Sequence, residues 1–300
     1  MEQEKKVKTT RLKIKKAMKT ILHYVIIVFI ALVLAIVMRV FFFASFSIPS
    51  PSMEPTILAG DQIIVNKLIP GPRVYKNFNF REGGKVETRR FKGSRAIRRN
   101  DVLVFNFPYT DWDKLEMDLS VNYVKRCVAI PGDTFYIDNG IYKVKGCADV
   151  LGNYQAQYDF AQIREEDIPP EIFHCFPGGP DYSWNVRNFG PLYIPRKGDT
   201  LQIDSKNISL YRNLIRYETN KKIETRDNTV YLDNEPLQSY MFQQNYYFMS
   251  GDLVRDSRDS RYWGVLPEDH IIGKAAFVWK SKDLGTGETR WERIFKRIRN

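Results

Sequence analysis

The sequence predicts a mostly β protein preceded by a single transmembrane helix. The prediction depends on an apolar run near the N-terminus and on short β-like runs, separated by turns, that begin after Ser47. The 300 residues are 43% hydrophobic and 14% aromatic, which is a globular composition and excludes a disordered chain. The length is sufficient for one or two domains with a hydrophobic core.

The apolar segment predicts a membrane anchor. Residues 20–38 contain no Asp, Glu, Lys or Arg, and as a helix these nineteen residues would span about 28 Å, close to a bilayer core. The run continues past Arg39 into three phenylalanines, which disfavours a cleaved signal peptide. We predict a basic cytoplasmic tail at residues 1–19 and a single transmembrane helix at residues 20–44, with the rest across the membrane.

The net charge of +11 is concentrated in residues 1–20, 71–100 and 290–300. The first of these segments carries eight Lys and Arg against two Glu, and outside the three segments the chain is net acidic. Basic ends beside an apolar segment suit anionic membrane lipids better than a nucleic-acid face. The sequence has no recognition motif for nucleic acid, so we expect no nucleic-acid partner.

Beyond the anchor, local patterns predict individual elements. The pair Asn139-Gly140 accepts the positive φ of a tight turn and predicts a hairpin over residues 135–142. Residues 207–217 carry an apolar helical face, residues 71–100 indicate a long loop, and residues 146–190 indicate an irregular insertion. The β-like runs are residues 62–65, 102–105, 123–130, 135–137, 193–194, 230–232 and 275–279.

The cysteines and histidines predict no metal site. Cys127, Cys147 and Cys175 are an odd set without paired spacing, and we expect neither a metal nor a cofactor. Cys147 and Cys175 fall in the same insertion and could form a disulfide that leaves Cys127 as a buried thiol, while three free thiols are an equal alternative. The three histidines lie outside any nucleophile motif, which disfavours a Ser/His/Asp triad.

A serine-containing tract follows the membrane segment directly. Three prolines in residues 47–56 fix backbone φ there, and this rigidity positions side chains. Residues 100–108, 123–133 and 251–264 follow in order. Together with the anchor, the four segments resemble the motifs of the type I signal peptidases, which are membrane-bound serine proteases.

The resemblance implies a dyad in which Ser52 is the nucleophile and Lys125 is the general base. A lysine can take a proton from a serine at neutral pH only if desolvation lowers its pKa by several units from about 10.4. Alternation along the strand places Lys125 on one face with Tyr123, Cys127 and Ala129. This set is apolar or weakly polar and has no nearby acid, so it favours such a shift.

The resemblance also assigns the neighbours of the dyad. The backbone N–H of Ser52 and the hydroxyl of Ser50 would bind the oxyanion. Two positions depart from the family pattern: Pro51 stands where relatives often have Gly, and Leu253 stands where Asn is common. The remaining implied roles are an orienting group for the lysine at Ser257, an ion pair between Asp259 and Arg261, and substrate-pocket walls at Ile48, Pro49, Met53, Tyr123 and Val124.

The implied architecture is a coiled antiparallel β-sheet catalytic domain at residues 45–139 and 241–300, with a β-rich insertion or cap subdomain at residues 140–240. The implied activity is endopeptidase cleavage of signal peptides from exported preproteins after small residues at −1 and −3, through an acyl-enzyme. The expected partners are signal peptides of secretory preproteins, anionic membrane lipids and the secretion machinery. The large insertion resembles that of Gram-negative enzymes, so we expect an inner-membrane protein whose catalytic domain is periplasmic.

Two other functions compete with this interpretation. A self-cleaving repressor-type Ser/Lys protease has related chemistry, but it carries a DNA-binding module where this chain has the apolar run. A membrane-tethered β scaffold without activity is disfavoured because both Ser52 and Lys125 are retained.

The C-terminal segment has its own pattern. Trp291, Ile294, Phe295 and Ile298 follow the i, i+3, i+4, i+7 spacing of one helical face and are surrounded by basic residues. This predicts a short helix that either lies on the membrane surface or packs against the β core.

Overall fold

One long helix begins the chain. Helix α1 spans Glu2–Val37 and continues as a π-helical segment, Met38–Phe42. The structure is a computed structural model that describes residues 1–76, 86–111 and 114–299, and within these ranges Met18–Phe42 is the one helix long and apolar enough to cross a membrane. The most apolar stretch of this helix is not buried by the rest of the described protein.

The regular secondary structure of the rest of the described chain is mainly antiparallel strand, which confirms the predicted fold class. The remaining helices are α2 Tyr154–Gln162, α3 Pro170–Phe173, α4 Ile208–Thr219 and α5 Ser260–Trp263. The strands are β1 Phe43–Ser47, β2 Asp61–Asn66, β3 Arg73–Tyr75, β4 Thr88–Arg90, β5 Val102–Asp111, β6 Lys114–Ala129, β7 Thr134–Asp138, β8 Ile141–Val144, β9 Phe189–Tyr193, β10 Thr200–Gln202, β11 Ile223–Arg226, β12 Thr229–Leu232, β13 Glu235–Pro236, β14 Ser239–Met241, β15 Tyr246–Ser250, β16 Leu266–Pro267 and β17 Ile271–Ser281.

The main sheet has seven strands in the order β1-β2-β17-β5-β6-β15-β16. Strand β1 follows α1 directly and forms one edge of this sheet, where it pairs only with β2. Strand β15 pairs with β6 at Arg126 and beyond, so the preceding part of β6 extends past the end of β15. The membrane helix therefore leads straight into an edge strand of the sheet.

Several local predictions are confirmed. The hairpin of β7 and β8 turns at Asn139 and Gly140, whose φ angles are 49° and 85°. Helix α4 buries Leu210, Tyr211, Leu214 and Ile215 on one face, as its apolar spacing predicted. In both cases a local signal was sufficient because the element is formed by neighbouring residues.

The predicted long loop at residues 71–100 is wrong in part. Strands β3 and β4 pair as an antiparallel ribbon, with Arg73 opposite Arg90 and Tyr75 opposite Thr88. The basic composition hid this pairing because these two short strands lack the apolar alternation by which a strand is recognised. Residues 77–85, which connect the two strands, lie outside the described residues.

The larger of two hydrophobic cores joins the sheet to residues 140–240. Phe135 of β7 stacks on Phe248 of β15 at 4.3 Å between ring centroids, and Phe189 of β9 lies 5.4 Å from Phe248. Strand β9 also pairs with β7. The division into a catalytic domain and an insertion stays a prediction, and the core is continuous across it.

The cysteines are three free thiols. The alternative of a Cys147–Cys175 disulfide is therefore wrong, whereas the burial of Cys127 is confirmed. Cys147 follows β8 and lies near Arg99, whereas Cys175 follows α3 and lies near Arg261. Membership of one insertion did not place the two cysteines side by side.

The predicted C-terminal helix is wrong beyond one 3-10 turn at Trp291–Arg293. The following backbone bonds instead to β17: Phe295 N–H donates to Val278 O at 2.7 Å, and Ile298 N–H donates to Ala276 O at 2.9 Å. Strand β5 pairs with β17 only as far as Lys274, so the rest of that edge is free to accept the C-terminal segment. Ile298 is buried in the smaller core, as the packing alternative predicted, but Trp291 and Phe295 are exposed.

A buried ion pair holds this segment in place. Arg293 Nε donates to Asp61 Oδ1 at 2.9 Å, and both side chains are at most 6% exposed. Burial acts to raise the pKa of Asp61, but Arg293, together with the hydrogen bond from the Leu58 N–H, outweighs it and lowers that pKa. The pair joins the C-terminus to the start of β2.

We expect Arg293→Met to destabilise the protein by about 3–5 kcal/mol, because Asp61 would stay buried without its counter-ion. The measurement is the free energy of unfolding by urea of the detergent-solubilised chain. Lys296→Met, at an exposed position in the same segment, is the matched control and should change it by no more than about 0.5 kcal/mol. Equal stability of the two variants would contradict a stabilising role of the pair.

Candidate active site

The serine tract is fixed at both ends by backbone bonds. Ile48 N–H donates to Asp61 O at 2.9 Å, and Ile57 N–H donates to Met53 O at 2.9 Å. Between them, Ser52 O accepts a bond from Leu253 N–H at 3.1 Å. This contact uses the backbone of Leu253, so the departure from Asn at that position leaves it intact. The tract is thereby tied to the segment that follows β15.

The side chains of Ser52 and Lys125 are in contact. Lys125 Nζ lies 2.6 Å from Ser52 Oγ, which is hydrogen-bond distance across 73 residues of sequence. Lys125 projects from β6 and is 4% exposed, and its Nζ lies 5.2 Å from the ring centre of Tyr123. The two residues predicted as nucleophile and base are therefore brought together.

Burial lowers the pKa of Lys125 to about 8. Desolvation is the largest cause, and Arg261 acts in the same direction, whereas Asp259, Asp252 and Asp256 raise this pKa. The expectation that no acid lies near the amine is therefore wrong, because the fold brings these three carboxylates from residues 252–259 towards β6. The pKa is still lowered, because none of these carboxylates forms a direct ion pair with the amine and the effect of burial outweighs their attraction.

Two hydrogen-bond donors lie beside the hydroxyl of Ser52. Ser50 Oγ is 3.5 Å from Ser52 Oγ and is exposed to solvent. Within the described parts of the chain, the backbone N–H of Ser52 has no acceptor, whereas its carbonyl is bonded to Leu253. Both donors are therefore available to a carbonyl oxygen that approaches the Ser52 hydroxyl.

Asp259 and Arg261 form an ion pair beneath the site. Arg261 Nε donates to Asp259 Oδ1 at 2.8 Å, and both side chains are fully buried. Burial acts to raise the pKa of Asp259, but Arg261 outweighs it and lowers that pKa. Asp259 also accepts the backbone N–H of Gly251 at 2.9 Å, so the pair fixes the segment next to Ser52.

Ser257 lies close to this segment but is not bonded to Lys125. Its Oγ is buried and has no hydrogen-bond partner among the residues that the structure describes. A Cβ atom on Gly251 would lie 2.2 Å from this Oγ and 2.6 Å from Ser52 O. Only glycine permits such an approach, so Gly251 lets the Ser257 segment pack directly behind the serine tract.

A second buried ion pair was not predicted from the sequence. Arg126 donates to both oxygens of Asp252 at 2.7 Å, and the two side chains are 7% and 1% exposed. Arg126 follows Lys125 on the opposite face of β6, and Asp252 precedes Leu253, which bonds to Ser52. The only sequence signal for this pair was that Arg126 lies in the motif at residues 123–133 and Asp252 in the motif at residues 251–264. Local patterns could not predict the contact, because 126 residues separate the two side chains.

The predicted pocket residues divide between core and surface. Ile48 and Met53 are buried in the smaller core, and Val124 packs against that core while partly exposed. Pro49 is exposed and Tyr123 is half-buried. Their role as substrate walls stays a prediction.

Comparison with known proteins supplies the family. The family model described as signal peptidase, peptidase S26, matches residues 21–173 and 186–280, well over half of the chain. Signal peptidase I of Buchnera aphidicola from Acyrthosiphon pisum is 28% identical over 256 residues, covering 84% of this chain and 73% of the relative. Signal peptidase I of Pseudomonas aeruginosa is 28% identical over 265 residues, covering 84% and 70%. That of Haemophilus influenzae is 28% identical over 298 residues, covering 89% and 73%.

The fold and these similarities define a membrane-anchored serine endopeptidase. The chain belongs to the signal peptidase family, peptidase S26, as the resemblance of its motifs predicted.

Proposed function

We propose that this protein removes signal peptides from exported preproteins, with Ser52 as the nucleophile and Lys125 as the general base. The observation that carries the proposal is the 2.6 Å contact between the serine hydroxyl and a buried amine whose pKa is lowered to about 8. An amine with this pKa is partly neutral at pH 7 to 8 and can accept the hydroxyl proton.

The reaction proceeds through an acyl-enzyme. As Ser52 Oγ bonds to the scissile carbonyl carbon, its proton passes to Lys125 Nζ. The protonated lysine then gives this proton to the departing amine, and the peptide C–N bond breaks. The neutral lysine next takes a proton from a water molecule as the water oxygen bonds to the ester carbonyl carbon. The protonated lysine returns this proton to Ser52 Oγ as the ester C–O bond breaks, which releases the signal peptide and restores Ser52.

The negative charge on the carbonyl oxygen is stabilised by the Ser52 N–H and the Ser50 hydroxyl. Both donors lie beside Ser52 Oγ. The Ser50 hydroxyl is exposed and 3.5 Å from Ser52 Oγ, so it can turn towards the oxyanion.

Removal of one such donor costs about 10²–10³ in rate, so Ser50→Ala should lower kcat by this factor. Steady-state cleavage of a preprotein measures this effect.

The substrate binds as an extended strand between β1 and β6. Strand β1 is an edge strand, and Tyr123 to Lys125 of β6 lie beyond the end of β15. Their free backbone groups can pair with a peptide, a common mode of peptide recognition. Met53 and Ile48, with Val124 beside them, then limit the residues at −1 and −3 to small side chains, while Pro49 and Tyr123 contact the peptide.

We infer from the charges around the anchor that this site lies at the outer face of the membrane. Eight basic residues precede the span and stay in the cytoplasm, so β1 and the catalytic sheet emerge on the periplasmic side. Ser52 follows Phe42 by ten residues, which limits its distance from the end of the span to about 36 Å even for an extended chain. A signal peptide held in the bilayer and delivered by the secretion machinery presents its cleavage site within this range.

We expect Ser52→Ala and Lys125→Met each to abolish processing, because nucleophile and base act as a unit. The measurement is cleavage of a purified preprotein in detergent, with circular dichroism as the test of folding. Ser239→Ala and Lys145→Met change exposed residues of the same types outside the strands proposed to bind the substrate, and they serve as controls. Near-normal cleavage by either dyad variant would refute the mechanism.

The pH profile tests the base separately. Only the neutral amine accepts a proton, so kcat/KM should rise with pH to a plateau above the Lys125 pKa of about 8. At pH about 6 it should be roughly 100-fold below the plateau, since the neutral fraction falls tenfold per pH unit. Cleavage of a short fluorogenic peptide between pH about 5 and 10 measures the profile. A flat profile from about 6 to 8 contradicts a lysine base.

Protease protection tests the orientation. Proteinase K added to spheroplasts should digest the region beyond residue 45 and leave the N-terminal tail intact, as judged with antibodies against each end. Digestion of the tail alone would reverse the proposed orientation. Detergent lysis, which exposes both regions, is the control.

A further inference from the structure

A basic cavity lies where the membrane helix meets the sheet, and its lining includes residues of β1 and β6, the two strands proposed to flank the substrate. Its volume is about 520 Å³. Every charged side chain among its described lining residues is basic, namely Arg39 of the helix, Lys67 after β2 and Arg73 of β3. Three positive charges around one cavity repel one another unless an anion lies between them.

Lys67 is held at the end of the membrane helix. Its Nζ donates to the carbonyls of Arg39 at 2.8 Å and Val40 at 3.3 Å, which leaves one of the three ammonium protons for a further acceptor. Burial lowers the pKa of Lys67, and repulsion from Arg73 and Arg39 lowers it further. A bound anion would relieve this repulsion.

The two arginines differ in how they are held. Arg73 is fixed by bonds of 2.6 Å to Asp269 O and to Asn106 Oδ1, so its guanidinium forms a rigid wall. Arg39 is exposed, and across the described ranges its guanidinium contacts no protein acceptor. Arg39 therefore remains available to a ligand and can close over it.

The rest of the cavity lining combines apolar side chains with neutral polar ones. Phe43, Phe46 and Ile272 contribute to its lining beside the basic groups. The apolar span ends at Phe42, so the cavity lies at the depth of the lipid headgroups. Basic groups next to apolar side chains at this depth match a phosphate next to glycerol and acyl chains.

We propose that this cavity binds the phosphate group of one anionic phospholipid, held by Arg39, Lys67 and Arg73. Such a lipid would join the anchor to β1, which leads to Ser52, and so fix the sheet relative to the bilayer surface. The inference concerns a site separate from the dyad and does not depend on the proposed function.

Native mass spectrometry of the full chain in detergent tests the site. Phosphatidylglycerol, phosphatidylcholine and inorganic phosphate are added in separate titrations. We expect wild type to retain phosphatidylglycerol in preference to the other two, and Arg39→Gln to bind it about fivefold more weakly, the effect of one basic residue near a lipid surface. Arg39→Lys should retain most of the binding because the charge is kept.

Arg89→Gln is the matched control. Arg89 lies over the ring of Phe91, which contacts Phe41 at the end of the span, but Arg89 does not line the cavity. Its loss should leave lipid binding unchanged, and thermal unfolding should show that all variants are folded. A fivefold loss in Arg89→Gln as well would indicate general surface charge and overturn the proposal.

Other results would also overturn it. Equal lipid binding by Arg39→Gln and wild type would exclude the site, and equal binding of phosphatidylcholine would exclude selection for an anionic lipid. Inorganic phosphate that binds as tightly as the lipid would identify a free-ion site instead. Displacement of the lipid from the Ser52→Ala chain by an added signal peptide would assign the cavity to substrate.

Discussion

Burial of the Lys125 amine is the physical constraint on which the site depends. An ammonium ion is costly to remove from water, and a carboxylate in direct contact would restore its charge and its high pKa. The fold surrounds the amine with Tyr123 and the serine tract, and it gives two of the three nearby acids other partners: Asp259 is bonded to Arg261 and Asp252 to Arg126. The pKa of the lysine is thereby lowered to about 8.

These two ion pairs also explain how distant segments form one site. Arg126 extends from the strand that carries Lys125, and its partner Asp252 precedes Leu253, whose N–H holds Ser52. Asp259 holds Gly251 on the other side of the same segment. An unpaired buried charge is strongly destabilising, so the folded protein is stable only when residues 251–259 lie where both ion pairs can form. The distance between hydroxyl and amine is then set by the whole sheet.

The anchor adds a constraint from outside the sheet. Helix α1 enters β1 without a loop, so the orientation of the catalytic sheet follows from the last turns of the membrane helix and from the Lys67 bonds to its carbonyls. This rigidity would serve the proposed function, because proximity and orientation reduce the entropy that binding a membrane-held substrate must remove. A phospholipid in the cavity beside Arg39 would strengthen the same junction.

The sequence by itself determined features that arise from neighbouring residues or from recognisable motifs. These are the membrane span, the Asn139-Gly140 hairpin, helix α4, the mostly β class and the pairing of Ser52 with Lys125 as candidates. Tertiary structure alone decided what depends on distant pairing. The C-terminal segment has helical spacing but bonds to the free edge of β17, and Arg293 finds Asp61 across 232 residues. Such contacts leave no periodic pattern in the sequence, because they form only when the folded sheet brings its edges and buried charges together.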